Sequence, residues 1–192
     1  MPIPNQPALD FLLSRRSRPA KTLIHPAPSR DALQPVLTAA ARSPDHGKLE
    51  PWRFLVIETG AMARLAALAG TRGRALGMGD EDIAKGRDQF ERGVLIVAVI
   101  ESPVASDKIP PLEQTYSTGA VCLALLNAAL ASGWGANWLS GWISRDREFC
   151  ETGLGLAAHE RIAGLIHIGT ETAAPPERPR PDLETKTTWV SA

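Results

Sequence analysis

Val94-Leu95-Ile96-Val97-Ala98-Val99-Ile100 is an unbroken run of seven apolar residues. Such a run predicts a strand buried on both faces of its sheet. The longest helical stretch follows it, over about residues 112–132, with Gly133 placed as its stop. Between Gly119 and Ala131 this stretch is apolar almost all round and rich in alanine, as suits a central, closely packed helix. Residues 136–140 and 162–168 read as two further strands, with a helix over 146–154 between them. Upstream, 54–58 is a short β-rich run ended by Gly60. Met62, Leu65, Ala66 and Ala69 then recur at helical spacing. A shorter helix is expected over 80–90, and the Gly- and Arg-rich stretch 70–79 is expected to be mobile. Helices therefore interleave with strands, giving a three-layer α/β or α+β domain.

Two helices are expected ahead of this core. The first covers about 7–16, with Pro7 in its opening turn and Leu9, Leu12 and Leu13 as its stripe. The second is capped by Ser29, carries Asp31 in its first turn, and repeats Leu33, Val36, Leu37 and Ala40 on one face. At the other end the character changes. Residues 1–171 read as the domain and 172–192 as an extended tail, because Pro175, Pro176, Pro179 and Pro181 forbid helix there. Thr187-Thr188-Trp189-Val190 near the end favours strand.

The 192 residues are 44% apolar and 22% charged, close to globular averages, which argues against wholesale disorder and collagen-like repeats. Lys plus Arg and Asp plus Glu each total 21. A globally basic nucleic-acid binder is thereby disfavoured, and low colloidal repulsion suits an oligomer. Cys122 and Cys150 form no C-x-x-C pair, and His25, His46, His159 and His167 form neither H-x-x-x-H nor H-E-x-x-H. No disulfide framework and no metal site is expected. The N-terminus lacks a charged-then-apolar signal pattern, and no apolar run reaches about 18 residues. A cytoplasmic chain without membrane contact is the expectation.

Chemistry-bearing groups fall in four places, and no G-x-S-x-G, P-loop or G-x-G-x-x-G is among them. Arg15-Arg16-Ser17-Arg18 closes the first helix, where forked guanidinium donors and a hydroxyl can surround a phosphate. The same arginines also suit a helix dipole. Arg42-Ser43-Pro44-Asp45-His46 puts a cation and an imidazole in a polar loop before Pro51-Trp52-Arg53-Phe54. The stretch from Gly133 to Trp142 holds Trp134, Trp138 and Trp142 among Gly and Ser, so that backbone can approach a flat ligand while rings pack nearby; it equally suits an aromatic-filled core strand. Trp138 and Ser140 are expected on one strand face. Glu113-Gln114 heads the long helix.

Taken in order and spacing, these motifs, with Ser117-x-Gly119 and Trp138-Leu139-Ser140-Gly141, resemble the FMN-dependent nitroreductase family over essentially the whole chain, most of all its short branch of NAD(P)H nitroreductases. The resemblance implies an α+β, three-layer fold with a central, mostly antiparallel sheet flanked by helices, and a homodimer that exchanges its C-terminal strand. It implies FMN contacts at Arg15, Arg16, Ser17, Arg42, His46, Trp138, Leu139 and Ser140. Ala128, Ala129, Leu130, Ala131, Ser132 and Gly133 match a stretch assigned in that branch to NAD(P)H. It further implies ping-pong, two-electron reduction of a small-molecule acceptor such as a nitroaromatic or quinone, with no protein acid, base or nucleophile required, hence no catalytic residue. The chain departs from the wider family at Lys48 and Glu50, which replace Asn and Gln, and at Leu139, where close relatives carry Arg. A dehalogenase or dehydrogenase on the same fold, or a ligand-binding module without flavin, are the alternative readings.

Overall fold

A computed structural model describes residues 3–191. The apolar run forms β3 (Leu95–Glu101), and all seven of its residues are buried. It pairs antiparallel with β2 (Trp52–Ile57) on one side and β5 (Arg161–Glu171) on the other. The far edge of β5 is shared end to end by β4 (Gly135–Leu139) and β1 (Leu23–Ile24), again antiparallel. The α+β alternative is therefore the correct one, for a local reason. Between β2 and β3 the chain makes two helices, α3 (Thr59–Ala75) and α4 (Asp80–Glu91), and returns to where it left the sheet. Thr59 Oγ1 donates to the Val94 carbonyl at 2.9 Å and closes that excursion.

Strand alternation divides the core between two helix layers. Ile96, Ala98 and Ile100 face α3 and α4, meeting Leu65, Ala69, Phe90 and Phe149. Val97 and Val99 face α2 (Arg30–Ala40) and α5 (Pro111–Ala131), meeting Leu33, Val36, Val121, Leu125 and Ala129. Ser29 caps α2 by accepting from the Ala32 amide at 3.2 Å. Two buried carboxylates in the frame are paired. Glu101 meets Arg161 and Thr115. Glu160 is held by both arms of Arg53 at 2.6 and 2.7 Å, which pulls its carboxyl down to about 2.

Several elements differ from the sequence expectation. Helix α1 (Gln6–Ser14) starts on an Asn5 cap and stops two residues early, at Arg15, where the backbone turns extended. Its Leu12 and Leu13 are 57% and 69% exposed. Residues 70–75, expected to be mobile, continue α3, because their glycines serve close packing. A Cβ on Gly73 would lie 2.7 Å from Ile83, and one on Gly86 would lie 2.6 Å from the Trp142 ring. The helix expected over 146–154 is wound mainly as a wide π turn, Phe149–Gly153. Strand β1 has only two residues and shows no period to read. The tail has one helical turn, α6 (Leu183–Lys186), and residues 187–191 pair with no strand of their own chain. Trp189 and Val190 are 90% and 89% exposed.

Gly86→Leu is expected to lower stability by about 1–3 kcal/mol in urea unfolding, because the Trp142 ring leaves no room for a side chain. Gly60→Ala, which meets nothing within 4 Å, is the control and gains up to about 1 kcal/mol.

Candidate functional site

The first candidate segment is tied down along the edge of β4. The Arg18 amide donates to the Ala136 carbonyl at 2.8 Å, and Arg18 Nε pairs with Glu171 at 2.6 Å. Upstream, Arg15 Nη2 donates to Ser17 Oγ at 3.0 Å, while Arg16 reaches Glu177 of the tail at 3.3 Å. Arg15, Arg16, Arg18 and Glu171 border a cleft of about 270 Å³ with Phe11, Leu130, Gly133 and Trp134. Arg15 Nε is buried there with no hydrogen-bond partner. Burial, then the charges of Arg180, Arg16 and Arg18, lower the Arg15 pKa. A buried, unpaired donor among four guanidinium groups is a place for an anion, and it fits a phosphate.

A second cleft, of about 310 Å³, lies at the other end of β4 under α4. Leu139 and Ser140 line it with Ala20, Lys21, Lys85, Asp88, Gln89, Arg92 and His167. Gln89 Nε2 donates to the Ser140 carbonyl at 3.3 Å, and Gln89 Oε1 is buried without a partner. His167 is 3% exposed; burial alone lowers its pKa to about 4, so the imidazole is neutral at pH 7. Trp138 does not share this cleft. Its ring lies across Gly164, where a Cβ would come within 2.2 Å of the indole nitrogen. The expected common face for Trp138 and Ser140 is not formed, because β4 ends at Leu139 and alternation stops with it.

His46 lies elsewhere. It lines an open cleft of about 510 Å³ with Asp45, Glu113, Tyr116 and Ser117, and its Nδ1 is 2.7 Å from a Glu113 carboxylate oxygen. The loop carrying it is tightly wound. Gly47, Lys48 and Glu50 all have positive φ, and the Asp45 carboxylate accepts from the Leu49 and Glu50 amides at 2.9 and 3.2 Å. Arg42 is exposed just beyond α2. Within one chain these two residues do not join Arg15. His46 sits at the start of α5 and the Arg15 cleft at its end. Tyr116 and Leu130 of the two clefts are separated by roughly 21 Å of helix.

The segment from Ala128 to Gly133 is the end of α5 and its turn. Ala129 is buried in the core, Ala128 and Leu130 pack against it, and Ala131 and Ser132 are exposed. Only Leu130 and Gly133 of the six line the Arg15 cleft. Sequence reasoning missed Gln89 and His167. A polar residue between two isoleucines was the available signal for the second; nothing local marked the first. Among the described residues, no group of three or more His, Cys, Asp or Glu is placed to hold a metal ion, and no helix is long and apolar enough to cross a membrane.

The nitroreductase family profile matches residues 12–170. A protein of Escherichia coli K12 named "Putative NAD(P)H nitroreductase YdjA" is 36% identical over 163 residues, covering 85% of this chain and 87% of the relative. A Haemophilus influenzae protein of similar name is 32% identical over 166 residues, covering 85% and 88%. Among solved structures, a nitroreductase-like family protein from Bacillus cereus superposes with TM-score 0.81 at 25% identity over the full length of both chains. A Desulfovibrio desulfuricans protein described as "a putative nitroreductase in complex with FMN" gives 0.70 at 24% identity, covering 95% of this chain and 96% of that one.

His167 makes the stability of this site depend on pH. In the unfolded chain an imidazole takes a proton near 6.5, whereas in the fold it resists until about 4. The unfolded state thus binds more protons between those values, so stability is complete above pH 6.5 and falls as pH drops towards 4. The loss amounts to about 3 kcal/mol. Urea titrations at stepped pH check this, and His167→Gln should flatten the curve over that window.

Proposed function

This chain belongs to the nitroreductase family, and we propose that it is an FMN-dependent NAD(P)H oxidoreductase that reduces nitroaromatic, quinone or similar acceptors in two-electron steps. The observation that carries the reading is the buried, unpartnered Arg15 Nε in a cleft walled by further arginines. In this reading Arg15, Arg16 and Ser17 hold the flavin phosphate, and Leu139 and Ser140 border its ring system. When bound, FMN supplies a carrier that takes two electrons from NAD(P)H and passes them to the acceptor. The protein binds, orients and shields that carrier; Gln89 fixes the Ser140 carbonyl. No side chain is needed as nucleophile. Of the 128–133 segment, Leu130 and Gly133 line the Arg15 cleft, and in this reading they are its contacts to NAD(P)H.

The homodimer belongs to the same reading. Leu112, Tyr116 and Leu123 form an exposed stripe along α5, and Leu9, Leu12 and Leu13 are exposed on α1. Pairing two copies of α5 antiparallel about a two-fold axis covers that stripe. It also sets the start of one α5 beside the end of the other, which carries Arg42 and His46 of the partner towards the Arg15 cleft. The tail, extended apart from the one turn of α6, reaches in this reading beyond its own domain and buries Trp189 and Val190 on the second copy.

Purified protein should carry, or take up, FMN with a flavin absorption spectrum. Arg15→Ala should weaken FMN binding by about 1.5 kcal/mol or more while folding is kept; unchanged affinity in both Arg15→Ala and Arg16→Ala removes the phosphate assignment. Reduction by NADH or NADPH followed by reoxidation with nitroaromatic, quinone, enone or halogenated acceptors separates the nitroreductase reading from other flavin chemistry on this fold. Light scattering should report a dimer for the full chain. Leu123→Glu or truncation after Thr172 should yield monomer with reduced FMN affinity, and a truncated chain that keeps dimer and FMN overturns the tail's role.

A further inference from the structure

The cleft under α4 contains more polar character than its walls use. Two buried atoms of residues that line it have no hydrogen-bond partner: Gln89 Oε1 from the helix and His167 Nε2 from the sheet. The Gln89 amide nitrogen is committed to the Ser140 carbonyl, so its oxygen is left to accept from something else. His167 sits on β5 in register with Asn137 of β4 and Ile96 of β3, in the layer otherwise filled by Leu165, Phe90 and Ile96. An imidazole in that layer costs stability relative to an apolar side chain unless a ligand meets it. The buried carboxylates Glu101 and Glu160, by contrast, are paired.

We propose that His167, supported by Gln89, is a ligand-selective hydrogen-bonding residue in the floor of this cleft, where it meets a polar edge of the flat heteroaromatic ring bound beside Ser140. The inference rests on the flavin reading above and goes past it, since that reading draws nothing from His167. The ligand class follows from the cleft. Leu139 and Ala20 offer apolar contact to a ring. An amide oxygen that accepts and an imidazole nitrogen, on two residues lining one cleft, match a ring edge that carries both N–H and C=O groups. Because both atoms are buried, the bond formed there discriminates strongly between ligands that have such an edge and those that lack it. The orphaned atoms are the cost accepted by the empty chain, and it is recovered when the ring is bound.

The experiment uses the full-length apo protein and FMN, with His167→Phe, His167→Gln and Gln89→Leu. Wild type should bind FMN. His167→Phe should weaken that binding about tenfold and shift the flavin absorption band, while His167→Gln, which keeps a hydrogen-bonding group, stays within about threefold. Apo His167→Phe should melt at or above the wild-type temperature, since an unpartnered buried polar group has been removed. In ¹⁵N spectra of wild type, the His167 ring resonances should move when FMN is added, a readout that needs no variant. Gln89→Leu should weaken FMN in the same direction as His167→Phe. If wild type binds FMN with the His167 resonances unmoved, or if His167→Phe binds FMN as tightly as wild type, this proposal fails and the flavin reading stands. If both His167 variants lose FMN equally and both apo proteins melt lower, His167 is a packing residue only. If wild type takes up no FMN, the flavin reading itself fails and this inference falls with it.

Discussion

The structure depends on β5 being paired along both of its edges. One edge hydrogen-bonds to β3 along its length, which places β5 beside the most buried strand of the sheet. The other is divided between β4 and β1, joined end to end at Gly169 and Thr170. A Cβ at Gly169 would sit 2.9 Å from the Ile24 carbonyl, so the junction admits only glycine without a shift. That division brings the segment leaving α1 alongside β4. The arginines that close α1 and the turn that precedes β4 come together because the segment after α1 hydrogen-bonds to β4 at Ala136 and pairs through Arg18 with Glu171 of β5.

Charge and hydrogen bonding are settled differently in the frame and in the clefts. In the frame, carboxylates are matched with arginines in two-armed contacts: Arg53 with Glu160 and Arg72 with Asp146 at 2.7 and 3.0 Å. These pairs tie together elements far apart in sequence and leave few lone pairs unmet. Seven buried side-chain atoms lack partners among the described residues, and three of them belong to residues lining the two clefts at the ends of β4. Polar atoms removed from water and left unpaired are expensive, so those three distinguish the clefts from the matched carboxylates of the frame.

Much of the layer order was readable in advance. The apolar run at Val94–Ile100 and the alanine-rich stretch after Gly119 each have one structural solution, a doubly covered strand and a packed central helix, because no other element hides so much apolar surface. Ser29 was readable as a cap, since an oxygen one residue before a helix satisfies an amide that has no other partner. Residues 70–75 were misread because glycine has two uses. The same lack of a side chain that loosens a loop allows α3 and α4 to approach within contact, and only the presence of Ile83 opposite Gly73 decides between them. The stripe on α1 was readable as apolar, but its exposure was not, since periodicity shows that a face exists and not what covers it.

By itself the sequence determined the periods: which stretches are helix or strand, which faces are apolar, and which segments concentrate arginine, histidine and glycine at chain reversals. Those are properties of neighbours along the chain, set by backbone geometry and local hydrogen bonding. Tertiary structure alone decided which reversals share a cleft. Arg15 with Gly133, Ser140 with Gln89 and His167, and His46 with Glu113 are juxtapositions across tens of residues. They follow from strand register and helix crossing, which depend on how the whole core packs, and no window of sequence contains that sum.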